Sequence, residues 1–172
     1  MSKPQMIRSA LTLARTLALI AAAAPFGHAQ FGMDTPAKPK NYVTYTAEAQ
    51  TVPAAKPAVL QLRFQLLQGF HVNSHTPKSE FLIPTALTLQ PAAGVKAGDL
   101  EYPPGQPFSF SFDPKEKVDV YAGAFIVKLP VVATAGEHTM DGTLKYQACD
   151  NASCYPPRTI PVKILFTAKS RD

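Results

Sequence analysis

Apolar residues in this chain return at every second position, and a period of two commits a segment to a half-buried β-strand. Leu60, Leu62, Phe64 and Leu66 alternate with Gln61, Arg63 and Gln65. Phe108, Phe110 and Phe112 alternate with Ser109 and Ser111, and Phe125, Val127, Leu129 and Val131 mark another strand. Near the end, Ile160, Val162, Ile164 and Phe166 are separated by Pro161, Lys163 and Leu165. Shorter runs at Tyr42 to Ala47, Thr85 to Leu89, Val118 to Tyr121 and Thr143 to Tyr146 bring the set to about eight strands.

Turn formers punctuate the runs at Gln68-Gly69, Pro91 to Gly94, Pro103 to Gly105, Asp113-Pro114, Ala135-Gly136 and Asp141-Gly142. Beyond the N-terminal segment no window of ten residues keeps a helical period, and 17 prolines interrupt most candidates. The expected fold is all-β, an antiparallel sandwich. Pro161, which has no N–H to donate, predicts that the last strand lies at a sheet edge.

The first 29 residues read as a secretory signal. Lys3, Arg8 and Arg15 precede an apolar run from Thr16 to Pro25, and Gly27-His28-Ala29 offers small residues for cleavage after Ala29. The run is too short, and too interrupted by Pro25, for a membrane anchor. Cleavage removes three of the 17 basic residues and none of the 12 acidic ones, leaving 14 against 12, a net charge of +2 instead of +5. A balance so close to neutral gives no reason to expect nucleic acid as a partner. Residues 30–41, polar and holding two prolines, read as a disordered leader, and residues 42–172 suffice for one domain.

The two cysteines, Cys149 and Cys154, lie in one turn between the strand ending at Tyr146 and the strand starting near Thr159. In an exported protein such a pair implies a disulfide. The loop it closes has six residues, so chain entropy returns only about 2 kcal/mol, little for a staple. The short loop therefore favours a redox bond over a passive clip. Asp150 and Asn151 are turn formers, and Pro156-Pro157 forbids a helix directly after Cys154. No helix dipole can activate a thiol here, unlike a helix-borne C-x-x-C site. The disulfide can still act as an electrophile: a thiolate attacks one sulfur, a mixed disulfide forms and the other cysteine leaves.

Tyr146-Gln147-Ala148-Cys149 and Cys154-Tyr155-Pro156-Pro157 resemble the segments that flank the cysteines in the N-terminal (alpha) domain of DsbD, a periplasmic thiol:disulfide interchange domain of immunoglobulin-like fold. The likeness runs from about Tyr42 to Phe166, with Gly69 to Asn73 and Val120 to Pro130 at matching strands. It implies that Cys149 and Cys154 are the redox pair, flanked by Tyr146 and Tyr155. By the same likeness, thioredoxin-like exported or membrane-tethered proteins serve as electron donor and acceptor. It brings no cofactor and no metal.

The chain departs from the family in three ways. Four residues separate the cysteines where the best-known members have five, and His71 and Asn73 stand where those members place two tyrosines. The family shields its disulfide with a cap phenylalanine; in the region Gln106 to Lys117 the residue assigned that part here is Phe112. Neither the membrane domain nor the thioredoxin domain of full-length DsbD is in the sequence, so electrons are expected from separate proteins, a membrane electron transporter among them.

His71 and His75, four apart on a strand, lie about 13 Å from each other, too far to share one ion. A protonated His71 beside the disulfide would stabilise a departing thiolate. Asp113, Glu116 and Asp119 read as a solvated loop, and no nucleophile elbow or phosphate loop supports a hydrolase. The readings that compete with redox chemistry are a non-enzymatic interaction module whose disulfide only closes a hairpin and, more distantly, a metal-binding module.

Overall fold

The computed structural model describes residues 41–170, apart from Glu80, Phe112 and the side chain of Asp113. The expected signal segment, the leader up to Lys40 and the assigned cap Phe112 lie outside the described residues. The described residues form twelve strands and no helix. Numbered in chain order, one sheet runs β1 (Val43–Tyr45), β3 (Ala58–Leu66), β9 (Ala124–Ala133), β6 (Val95–Ala97). A second runs β2 (Gln50–Pro53), β12 (Arg158–Lys169), β10 (Gly136–Tyr146), β5 (Ala86–Leu89). A third, smaller sheet runs β11 (Ala148–Cys149), β4 (His71–Asn73), β8 (Asp113–Ala122), β7 (Gln106–Phe110). All pairings are antiparallel except β2 with β12.

The alternation does what its period requires. In β3, Leu60, Leu62, Phe64 and Leu66 are buried while Gln61, Arg63 and Gln65 face water. These residues join Phe125 to Val131 of β9, Met140 and Leu144 of β10, and Ile160 to Phe166 of β12 in one apolar cluster between the first two sheets. Each fully buried Leu, Ile or Phe contributes about 1.5–3 kcal/mol by leaving water, and stacked Phe64 and Phe125, with centroids 5.0 Å apart, add aromatic packing. The result is the antiparallel sandwich that the pattern predicts, with the immunoglobulin-like fold that the resemblance implies.

Three expectations need correction. Asp113-Pro114 does not form a turn but begins β8, and Glu116 and Asp119, expected in a solvated loop, lie on the same strand. Asp141-Gly142 is no turn: both residues lie inside β10, paired with Lys163 and Val162. Gly142 is there because β5 comes so close that a Cβ would stand 2.6 Å from the Thr88 carbonyl oxygen. Nor is β12 an edge strand along its whole length. It pairs with β10 from Arg158 to Ala168 and also with β2 from Phe166 to Lys169. Pro161 lies before β2 begins to pair, so its missing N–H falls where β12 has a strand on one side only.

The third sheet grows out of the sandwich. After a turn at Leu67–Gly69, β3 leads into β4; one residue, Gly123, joins β8 to β9; and one residue, Gln147, separates β10 from β11. Gly123 has φ +68°, a conformation that side chains with a Cβ resist, and this lets the chain change sheets within a single residue. Three sandwich strands thus continue past their bends and converge on the cysteines.

Candidate functional site

Cys149 ends β11, where its Cα is paired with that of His71 on β4. It is bonded to Cys154, with the two Cα atoms 4.0 Å apart. The bond closes the connection between β10 and β12, which are in register up to Tyr146 opposite Arg158. The cysteines differ sharply in access: Cys149 is 0% exposed, whereas Cys154 lies open on the surface. Cys149 packs in a small cluster with Phe110, Val118 and Val120, separate from the main core, with Leu82 and Phe108 at its margin.

The turn between the cysteines holds itself together. Asp150 Oδ1 accepts the N–H groups of Ala152 and Ser153, both at 2.8 Å, and its Oδ2 accepts the Tyr155 hydroxyl at 2.6 Å. The Asp150 N–H donates to the Ser153 carbonyl, and the Tyr155 N–H to that of Ala148. The Tyr155 hydroxyl, followed by the two backbone donors, holds the Asp150 carboxyl below its ordinary value, and the same bond raises the Tyr155 phenol. Asp150 is therefore ionised at neutral pH. The Tyr155 ring stacks on Tyr42, 5.1 Å away, and packs against Phe70, which anchors the turn to the sandwich.

His71 is 4% exposed. Its ring lies 4.1 Å from that of Phe108 and 5.6 Å from that of Phe110. Its Nε2 is buried with no hydrogen-bond partner. Burial lowers its pKa, partly offset by the Asp150 charge, so the imidazolium expected beside the disulfide is the disfavoured form. His71 also lines a cleft of about 480 Å³ together with Phe70, Phe108, Ala122 and Asn151.

The remaining sequence assignments separate. Tyr155 belongs to the cysteine turn, as described. Asn73, on the same face of β4 as His71, donates to the Ile83 carbonyl at 2.9 Å and to Gln147 Oε1 at 3.4 Å, tying the loop after β4 to the residue before β11. Tyr146 is buried in the main core, where its hydroxyl accepts the Tyr42 N–H at 3.2 Å. It supports the turn from below and does not line it. His75 binds the Thr85 carbonyl through Nδ1 and stacks on Tyr102, an environment unlike that of His71. Among the described residues no three of His, Cys, Asp and Glu gather as a metal site would require. Asp119 pairs with Lys78 at 3.3 Å.

Sequence reasoning read Phe108 and Phe110 as plain strand alternation, yet they cover His71 and Cys149. The available signal is position: both lie in the stretch from Gln106 to Lys117 that the resemblance gives to the cap. Ser111, in the turn after β7, donates its hydroxyl to the Asn151 carbonyl at 2.9 Å, linking this region to the cysteine turn.

Three strands of the sandwich extend to a disulfide between a buried and an exposed cysteine, an arrangement open to attack by an external thiolate. Residues 40–165 match the family described as thiol:disulfide interchange protein DsbD, N-terminal, and the chain belongs to that family. Thiol–disulfide interchange through Cys149 and Cys154 is accordingly its function, and a purely structural clip is not favoured. No curated protein matches the chain. Among solved structures it is similar to the reduced DsbD N-terminal domain of Neisseria meningitidis, at 19% identity and a TM-score of 0.42, over 67% of this chain and 86% of that one. It is also similar to the N-terminal periplasmic domain of ScsB from Proteus mirabilis, at 13% identity and a TM-score of 0.47, over 71% of this chain and 44% of that one.

Proposed function

We propose that this protein is a periplasmic electron carrier that accepts two electrons from one thioredoxin-like protein and delivers them to another, with Cys154 as the point of attack. The observation behind the choice of sulfur is the asymmetry of access, Cys154 open and Cys149 fully buried. A donor thiolate attacks Cys154 Sγ, the intramolecular S–S bond breaks, and its electron pair leaves on Cys149 Sγ. A second donor thiol then displaces Cys154, giving oxidised donor and a reduced domain. In the forward transfer the Cys154 thiolate attacks a client disulfide and Cys149 resolves the resulting mixed disulfide. Phe108 and Phe110 keep water away from Cys149 while this happens, and the self-held turn keeps Cys154 presented. Export to the periplasm is supported by the N-terminal signal read in the sequence and by the family.

Trapping tests the reading. A thioredoxin-like protein lacking its resolving cysteine, activated as an aromatic mixed disulfide, is expected to form a reducible adduct with the Cys149→Ser domain. With Cys154→Ser the adduct should form at least about tenfold more slowly, since its one thiol is buried. Equal trapping by both variants would overturn the assignment of Cys154. No trapping, together with a reduction potential far below about −300 mV, would return the bond to the role of structural clip.

A further inference from the structure

His71 and Cys149 are directly paired across β4 and β11. Residues paired in this way project to the same face of a sheet, with Cβ atoms about 4.5–5.5 Å apart. The His71 Nε2 is buried without a partner, although a buried polar atom normally has one and leaving it alone costs about 1–3 kcal/mol. The residues facing the imidazole from β7 and β8 are Phe108, Phe110 and Ala122, none of them titratable. Among the described residues, the charged group acting on it is Asp150, in the turn that follows β11. A proton acceptor kept neutral by burial and placed opposite a buried thiol has one evident task.

From this geometry we infer that the neutral His71 imidazole takes the proton of the Cys149 thiol when that buried cysteine attacks the mixed disulfide at Cys154. The Cys149 sulfur forms the S–S bond to Cys154 and the partner sulfur leaves with the bonding electrons as a thiolate. The proton passes from His71 to water in the cleft that His71 lines. In the opposite direction the imidazole donates its N–H to the thiolate that Cys149 becomes. His71 burial matches this role, because a lowered pKa leaves the base free across the neutral range. The inference rests on the proposed division of labour between the two cysteines, with Cys154 attacking first.

A small probe separates the two ideas, since it needs no protein partner. Reduced domain mixed with the aromatic disulfide dithiobis(nitrobenzoate) releases one coloured thiolate as Cys154 attacks and a second as Cys149 closes the disulfide. With His71 acting, the second phase should rise to a plateau below the ordinary histidine pKa of about 6.5 and stay level toward pH 8. In His71→Gln and His71→Phe the second phase should be at least about tenfold slower at pH 7, gain tenfold per pH unit and approach the unmodified domain by about pH 9, where the thiol ionises unaided. The first phase should be unchanged in both. A second phase that already follows thiol ionisation in the unmodified domain overturns the inference, and this measurement needs no variant to fold. Equal slowing of both phases also overturns it, as a loss of structure. If the small probe shows the His71 dependence but no thioredoxin-like protein exchanges with the domain, the proposed function fails and the proton step stands.

Discussion

The sandwich and the small sheet beside it are built on opposite principles. Between β3, β9, β10 and β12 the buried side chains are apolar almost without exception, and they form one continuous cluster. Every buried polar residue among the described ones (His71, Asn73, Ser74 and Thr85) belongs instead to β4 or the loop that follows it. Three of these four hold a buried side-chain atom with no partner: His71 Nε2, Asn73 Oδ1 and Ser74 Oγ. Unpartnered buried groups cost stability, so the small sheet is held in place by continuity with strands whose own burial is ample. The lesson is a division of labour: the sandwich provides the stability that the redox sheet spends on chemistry.

The comparison breaks most readily from the sandwich side. Phe64→Ala removes a ring packed between Tyr45 and Phe125, and should cost about 3–5 kcal/mol in denaturant unfolding. The folded fraction should keep its normal rate of reduction by dithiothreitol; a changed rate would show that the two regions are not separable. Replacing both cysteines with serine should cost about 2 kcal/mol, as expected for a six-residue loop, while abolishing all exchange. A loss as large as that of Phe64→Ala would make the bond a staple after all.

The smallest expected effect sharpens the contrast through pH. Burial lowers the folded His71 pKa, so just below its ordinary value of about 6.5 the unfolded chain binds more protons than the folded one. Stability is therefore lost as pH falls through that region, until the folded imidazole protonates as well. His71→Phe removes this contribution. Its stability relative to the unmodified domain should be constant above about pH 7 and improve as pH falls below 6.5. A difference independent of pH would mean that His71 is not held neutral in the fold.

Much of the sandwich could be read from residues alone, because β3, β9 and β12 are long enough for alternation to stand out. β2, β6 and β11 could not, being two to four residues long and positioned by their neighbours. Gly142 misled for a physical reason: glycine marks turns, and it also marks places where another backbone comes close. The third sheet was hidden because three of its strands, β4, β8 and β11, adjoin sandwich strands across bends of one to four residues, which a local pattern cannot reveal. At the site, the cysteines and Tyr155 were legible from their string. The covering role of Phe108 and Phe110 and the neutrality of His71 depend on which distant strand lies opposite. No spacing within the chain encodes that.

Asp150 gathers two backbone donors and a hydroxyl from within five residues of itself, while eleven Cα pairs fix β10 against β12 on the far side of the turn. The cysteine turn is therefore a self-held unit seated on a frame that is fixed independently of it. A residue added or removed between the cysteines would change the geometry of the reactive bond without re-registering the strands below. For engineering, the same feature makes turn length an independent dial.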